Sequence, residues 1–363
     1  MKISFPYMGT VLVYKKLLHL LGHEVIVPPR PSKKTIDLGA KYSPEFACFP
    51  FKVIMGSYIE ACESGVDAIV TSGGFGPCRA GFYGEVHKRI LERLGYNVEM
   101  IILDEPLQDK NFFKKVNILR GNNSWLKVVQ TVLFTYNLIQ ELDWFECKIA
   151  GLMAYEKEPG AMKEAWKKIQ QEFDQASTRG QLKKAKKRSL EILNGVKVDS
   201  VPENEKIRIG IVGEIYVVME SSINMGLEET LCVLGCEVER NQYLSEWVDH
   251  HLLPGFLKKS REAIYQEKGK YYIDLVIGGH AQQTMGAIVD FKDKGFDGVI
   301  HLMPFACLPE LVSQSIIPKV SEDLGIPVLT LAIDEQTGQA NTLTRIEAFV
   351  DLVKNKKASK SLA

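Results

Sequence analysis

The sequence predicts an α/β protein: two Rossmann-like, doubly wound domains with a helical insert domain between them. Three observations carry this. Short apolar runs such as Val66–Val70 and Ile207–Gly213 alternate with helical stretches that end in glycine, the order of βαβ units. Residues 109–203 lose that alternation and carry long helical patterns instead. The pentapeptide pattern F-A-C-x-P occurs twice, as Phe46–Pro50 and Phe305–Pro309. The expected division is 1–108, 109–203 and 204–363, because 363 residues are too many for one ordinary core.

Taken in order, residues 2–8 read as a strand and 10–21 as a helix stopped by Gly22, with the next strand at 23–27 before Pro28-Pro29. A helix is expected at 50–64, with Pro50 in its first turn, where a missing N–H costs nothing. Gly65 ends it and the strand Val66–Val70 follows, leading into the glycine run Gly73–Gly76 and Cys78. A helix at 84–94 and a strand at 97–103 complete the first domain. The insert carries helical patterns at 124–147 and 160–194, and its basic run Lys183–Arg188 reads as a solvated helix face.

From Lys206 the α/β texture returns. Strands are expected at 207–213, 236–239, 273–277, 298–302 and 327–331, with a closing helix at 343–354. Leu20–Val25 matches Val233–Val238, and Val66–Val70 resembles Ile273–Ile277, each of the latter pair running into Gly-Gly. With the F-A-C-x-P echo, these matches predict an internal duplication whose alignment the echoes leave open.

Forty-five basic residues balance 45 acidic ones, so the chain lacks the basic excess of a nucleic-acid binder. No apolar run reaches the roughly 18 residues that a membrane span needs. The N-terminus has no h-region, which predicts no secretory leader and a cytoplasmic protein. Seven cysteines, an odd number with no C-x-x-C pair, argue against both a disulfide framework and a zinc ribbon.

Three of those cysteines point to chemistry. Cys78 and Cys307 lie a few residues past buried strands, where open α/β sheets bind their ligands. Cys48 precedes a helix whose N-terminal N–H groups would stabilise a thiolate. Thiolates are the usual ligands of iron–sulfur clusters, and three of them from two facing domains would leave a fourth iron site without a cysteine. Cys62, Cys147, Cys232 and Cys236 read as packing residues. Glu214, His280, Glu310, Asp334 and Glu335 stand at strand ends as acid/base or hydrogen-bonding candidates, more often structural than catalytic. Arg79 and Lys52 would offset thiolate charge, with surface ion pairs as the plainer role. Gly73–Gly76 could cradle a phosphate instead. It lacks the Lys-Ser/Thr pair of a P-loop and the G-x-G-x-x-G spacing, so neither ATP nor NAD is expected there.

The segments Ser43–Lys52, Gly76–Gly84, Pro304–Glu310, Asp334–Gly338 and Thr344–Phe349 resemble the motifs of the 2-hydroxyacyl-CoA dehydratase D-components and benzoyl-CoA reductase subunits. Within that family the chain is most similar to the CoA-enzyme-activase-related branch. The resemblance covers most of the chain outside the insert. It implies Rossmann-like domains, a helical domain, and Cys48, Cys78 and Cys307 holding a [4Fe–4S]-type cluster, larger if two subunits share it. It also implies a homodimer and a separate ATP-hydrolysing iron–sulfur activator that delivers low-potential electrons for the anaerobic reduction or dehydration of a small substrate. No CoA-binding residue or substrate acid is matched, so two other readings stay open: a non-enzymatic cluster scaffold or carrier, and a metal-free interaction module.

Overall fold

The computed structural model describes residues 1–73, 78–104, 109–251 and 260–361. Residues 74–76 of the glycine run, and the expected boundary at 108, lie outside the described residues.

The first half runs β1 (Lys2–Ser4), α1 (Leu12–Leu20), β2 (Glu24–Val25), α2 (Lys33–Tyr42), α3 (Phe49–Glu63), β3 (Ala68–Thr71), a 3-10 turn (Arg79–Phe82), α4 (Tyr83–Arg93) and β4 (Glu99–Ile102). Four helices follow: α5 (Phe112–Arg120), α6 (Trp125–Met153), α7 (Ala161–Gln175) and α8 (Arg179–Asn194). The second half runs β5 (Ile207–Gly213), α9 (Ile215–Met219), α10 (Leu227–Val233), β6 (Cys236–Arg240), α11 (Leu244–His251), α12 (Arg261–Gly269), α13 (Ala281–Asp293), β7 (Gly298–Pro304), α14 (Leu308–Leu324), β8 (Val328–Ile333) and α15 (Gln339–Ser361).

The strands form two four-stranded sheets, ordered β2-β1-β3-β4 and β6-β5-β7-β8, with every pairing parallel. Parallel strands require crossovers, and helices supply them, so both faces are covered and the central strands are mostly apolar. Ile209, Ile211, Ile300 and Leu302 are almost wholly buried. In each sheet the chain winds outward in both directions from a central pair, β1/β3 or β5/β7. The crevice beyond the carboxyl ends of such a pair is where open α/β sheets hold ligands.

The long helical pattern expected at 160–194 is two helices, broken at Ala176-Ser177 and restarted by Thr178, whose hydroxyl accepts the Gln181 N–H at 3.3 Å. Their apolar faces share one core with α6 and with Leu12 and Val13 of α1. Met219 and Leu244 of the second half join the same core, so these helices pack against both halves.

The duplication is real, and its register differs from the one the echoes suggest. Helices α2 and α3 cross where a Cβ on Gly39 would meet the Lys52 carbonyl oxygen at 1.8 Å and one on Gly56 would meet that of Thr35 at 1.9 Å. Helices α12 and α13 cross identically: Gly269 faces the Gln282 carbonyl at 1.9 Å and Gly286 that of Tyr265 at 1.7 Å. Only glycine lets two helix backbones approach this closely. Each pair ends in a left-handed glycine, Gly65 or Gly295. Next comes an aspartate whose carboxylate accepts the N–H of the neighbouring strand: Asp67 from Lys2 at 2.7 Å, Asp297 from Arg208 at 2.9 Å. Hence β3 corresponds to β7, not to residues 273–277.

Those residues form no strand, and Leu275 and Val276 stand exposed. They precede α13 as Ser43–Ala47 precede α3. The α12–α13 crossing holds both ends of the segment, and this packing overrides its β-propensity. The first echo does hold: Gly22 and Gly235, both left-handed, each join a helix to the edge strand β2 or β6.

Candidate functional site

All three candidate cysteines are helix N-caps. Cys48 starts α3 and Cys307 starts α14, each with proline in the first turn, and Cys78 starts the 3-10 turn that leads into α4. In this position a side chain faces the first free N–H groups and the positive end of the helix. The sequence reads this directly, since C-x-P is a thiol followed by a helix-starting proline.

The fold brings the three segments together. Cys48 and Cys307, 6% and 7% exposed, pack with Phe51 in one cluster walled by Ala47, Tyr83 and Val86. The Phe49 N–H donates to the Phe305 carbonyl at 3.2 Å, joining the two pentapeptides across the halves. Arg79, the residue after Cys78, closes the arrangement. Its Nη1 donates to the Phe46 carbonyl at 2.7 Å and its Nη2 to the Ala306 carbonyl. One guanidinium thus holds the backbones of both pentapeptides beside the third cysteine. Arginine suits this because its fork of donors is rigid and planar.

Ala306 has φ 59°, the left-handed region that alanine enters at a cost of about 1–2 kcal/mol. The surrounding hydrogen bonds hold that strain at the residue before Cys307, as is common at functional sites.

The electrostatics follow from burial. Cys48 is pushed up by burial. The Tyr83 hydroxyl, hydrogen-bonded to its sulfur, and the Phe51 N–H pull it back, while Glu214 and Arg79 act in opposite directions. Cys78 is raised by burial and lowered by the N–H groups of Ala80 and Arg79 and by the Arg79 charge. Cys307 lies well above the usual thiol range, through burial first and then the charges of Glu310 and Glu214. Glu214, the N-cap of α9 at the end of β5, is itself raised to about 7 by burial. Three thiols and a carboxyl converge here with Arg79 as the neighbouring cation. Such a donor set favours a positively charged, thiophilic group.

Other sequence candidates sort differently. Lys52 is buried and paired with Glu335 at 2.6 Å, so its charge is matched there instead of at the thiols. Asp334 closes its own loop, accepting from the Gln336 N–H and the Thr337 hydroxyl, each at 2.8 Å. Glu310 is fully buried, bonded to His301 Nε2 at 2.8 Å and to the Thr284 hydroxyl at 3.2 Å. It supports the first turn after Cys307. His280 caps α13, the position that Cys48 holds on α3, and burial lowers it to about 4. Cys232 and Cys236 belong to the second-half core, away from the three.

Sequence reasoning missed Tyr83 and His301. Tyr83 was readable only as an aromatic at a helix start, and His301 sits in the middle of a buried strand. Phe46, Phe82, Phe305 and Leu308, all from the cysteine segments, stand exposed around the site. A separate groove of about 450 Å³, lined by Tyr155, Lys206, Arg208 and Glu237, lies between the insert and β6.

Two family models match the chain. Residues 2–78 match the CoA enzyme activase uncharacterised domain, and residues 147–353 match the 2-hydroxyglutaryl-CoA dehydratase D-component. No curated protein matches it. The first match ends at Cys78 and includes Cys48, while the second contains Glu214, Cys307 and Glu310. Because the second covers more than half of the chain, the protein belongs to the 2-hydroxyglutaryl-CoA dehydratase D-component family.

Proposed function

We propose that the chain is the electron-accepting component of a 2-hydroxyacyl-CoA dehydratase-like system, with Cys48, Cys78 and Cys307 holding a [4Fe–4S]-type cluster. The observation that supports this reading is the Arg79 clamp: the residue after the half-buried Cys78 bonds the backbones of both pentapeptides, whose Cys48 and Cys307 share one buried cluster. When bound, such a cluster supplies one-electron chemistry at low potential.

The chain's own residues do the rest. Three helix N-termini and Arg79 stabilise negative charge at the sulfurs. The Tyr83 hydroxyl orients Cys48 through a hydrogen bond to its sulfur. The Phe51 wall keeps water from the two buried sulfurs. Glu214, held by the Val217 N–H at 3.1 Å, can carry a proton at neutral pH beside the centre. The exposed Phe46, Phe82, Phe305 and Leu308 form the approach for an ATP-hydrolysing activator, since an electron donor must come close to these sulfurs. The match of residues 2–78 to a domain named for CoA enzyme activases supports that partner. The division at 108 and 203, a homodimer and a cytoplasmic location are part of the same proposal.

Anaerobic reconstitution tests it. The wild-type chain should take up iron and sulfide in near-equal amounts and become brown. Cys48→Ser, Cys78→Ser and Cys307→Ser should each lose most of the iron. Unchanged iron in all three variants would sink the assignment. Cluster transfer to an apo-acceptor, without reduction of acyl-CoA when activator is present, would replace the reductase reading by a carrier one.

A further inference from the structure

We propose that His250, His251 and Glu262 form a second, independent site for a divalent cation of the zinc or ferrous class. One ligand atom from each of the three lies within 4.8 Å of the others. Two imidazoles and a carboxylate are the donor set that zinc and non-haem ferrous sites use, with further positions left for water or substrate.

The surroundings support ligation. His251 Nδ1 lies 3.0 Å from the Trp247 carbonyl. A carbonyl can only accept, so Nδ1 donates there, and Nε2 is the nitrogen that would ligate. The Trp247 ring stacks on His251 at 4.8 Å between centroids and 19° between planes, which fixes the imidazole's orientation. His250 Nδ1 is 3.3 Å from the Ser260 hydroxyl. Glu262, 4% exposed, accepts from Gln283 Nε2 at 3.2 Å through its other functional side, on Oε1. Each of the three donors thus has an outer partner that orients it.

The elements suit a cation too. Both histidines lie in the last turn of α11, where the helix presents its partial negative charge. Glu262 comes from the first turn of α12, and Gln283 from α13. His280, the N-cap of α13, lies within electrostatic reach of both Glu310 and His251. Gly279, beside His280, packs against Pro309 of the Cys307 segment.

Cobalt serves as the probe, since it reports its ligands by colour. The full chain, stripped of metal and titrated with Co²⁺, should bind one equivalent with visible d–d bands and no near-ultraviolet thiolate charge-transfer band. One equivalent of Zn²⁺ should displace it. His251→Gln and Glu262→Gln should abolish the bands, and Gln283→Ala should weaken binding by about 10-fold or more. Cys48→Ser, Cys78→Ser and Cys307→Ser should leave them intact, which separates this site from the cluster proposal. Far-ultraviolet circular dichroism checks folding. If Glu262→Gln does not fold, the half-buried His251→Gln carries the test alone. Failure of the wild-type chain to bind Co²⁺, bands that persist in the folded His251→Gln variant, or bands lost with the cysteines would overturn the proposal.

Discussion

The two halves share a scaffold and differ in what the scaffold carries. Both cross a helix pair on two glycines, both end it in a left-handed glycine, and both use an aspartate to accept the N–H of the next strand. Where the second helix of each pair begins, however, the first half has Cys48 at the N-cap and the second has His280, which the repeat aligns with Pro50. After the matching strand, both have a cysteine, Cys78 or Cys307. The counterpart of Cys307 is therefore Cys78, and the F-A-C-x-P echo does not mark the duplication. It is one local solution, a thiol at an N-cap with proline behind it, found at two different places in the repeat. Framework residues follow the repeat because backbone packing leaves them no alternative. The capping residues depart from it: Cys48 and His280 start their helices at different points of the repeat.

The comparison can be broken at its most asymmetric point. Glu310 and His301 form a buried pair in the second half, whereas Gly81 stands at the matching place after Cys78. Glu310→Ala should cost about 3–5 kcal/mol in urea denaturation, the usual loss when one partner of a buried pair is removed. A loss under about 1 kcal/mol would mean the pair does not hold this half together.

A smaller and symmetric effect is expected at the helix crossings. Gly56→Ala and Gly286→Ala should each lower stability by about 1–3 kcal/mol, because the new Cβ meets backbone that can yield only by parting the helices. If one half tolerates alanine in thermal melts while the other does not, the claim of one scaffold used twice fails.

The smallest effect separates the two pentapeptides. Ala306 is left-handed, while Ala47 is not among the residues with positive φ. Ala306→Gly should be neutral or stabilising by under about 1 kcal/mol, since relief of strain offsets the added freedom of the unfolded chain. Ala47→Gly should destabilise by about 0.5–1 kcal/mol. Equal losses at both positions in parallel melts would remove the distinction.

Much of this was legible in the sequence. Glycine-stopped helices and apolar runs located every strand of both sheets, because parallel strands buried on both faces have little sequence freedom. The cysteines were legible through their setting: proline in the next turn for Cys48 and Cys307, and a preceding buried strand for Cys78. Ile273–Ile277 misled because its composition suits a strand while tertiary packing assigns it to a connector. The helices α2, α5, α11, α12 and α13 went unread, and with them the crossings that set the true repeat. The roles of Arg79, Tyr83 and His301 depend on contacts between residues far apart in sequence, which no local pattern encodes.

Arg79 has one more consequence. Its two carbonyl partners belong to different halves, so the width of the cleft and the spacing of the sulfurs are a single mechanical coordinate. A partner that pried the halves apart would strain this guanidinium first and the thiols next. By thermodynamic reciprocity, anything that tightened its hold on the three sulfurs would pull the cleft shut and change the surface offered to that partner by the same free energy. The centre would then act as a latch, reporting its own occupancy through the posture of the two halves.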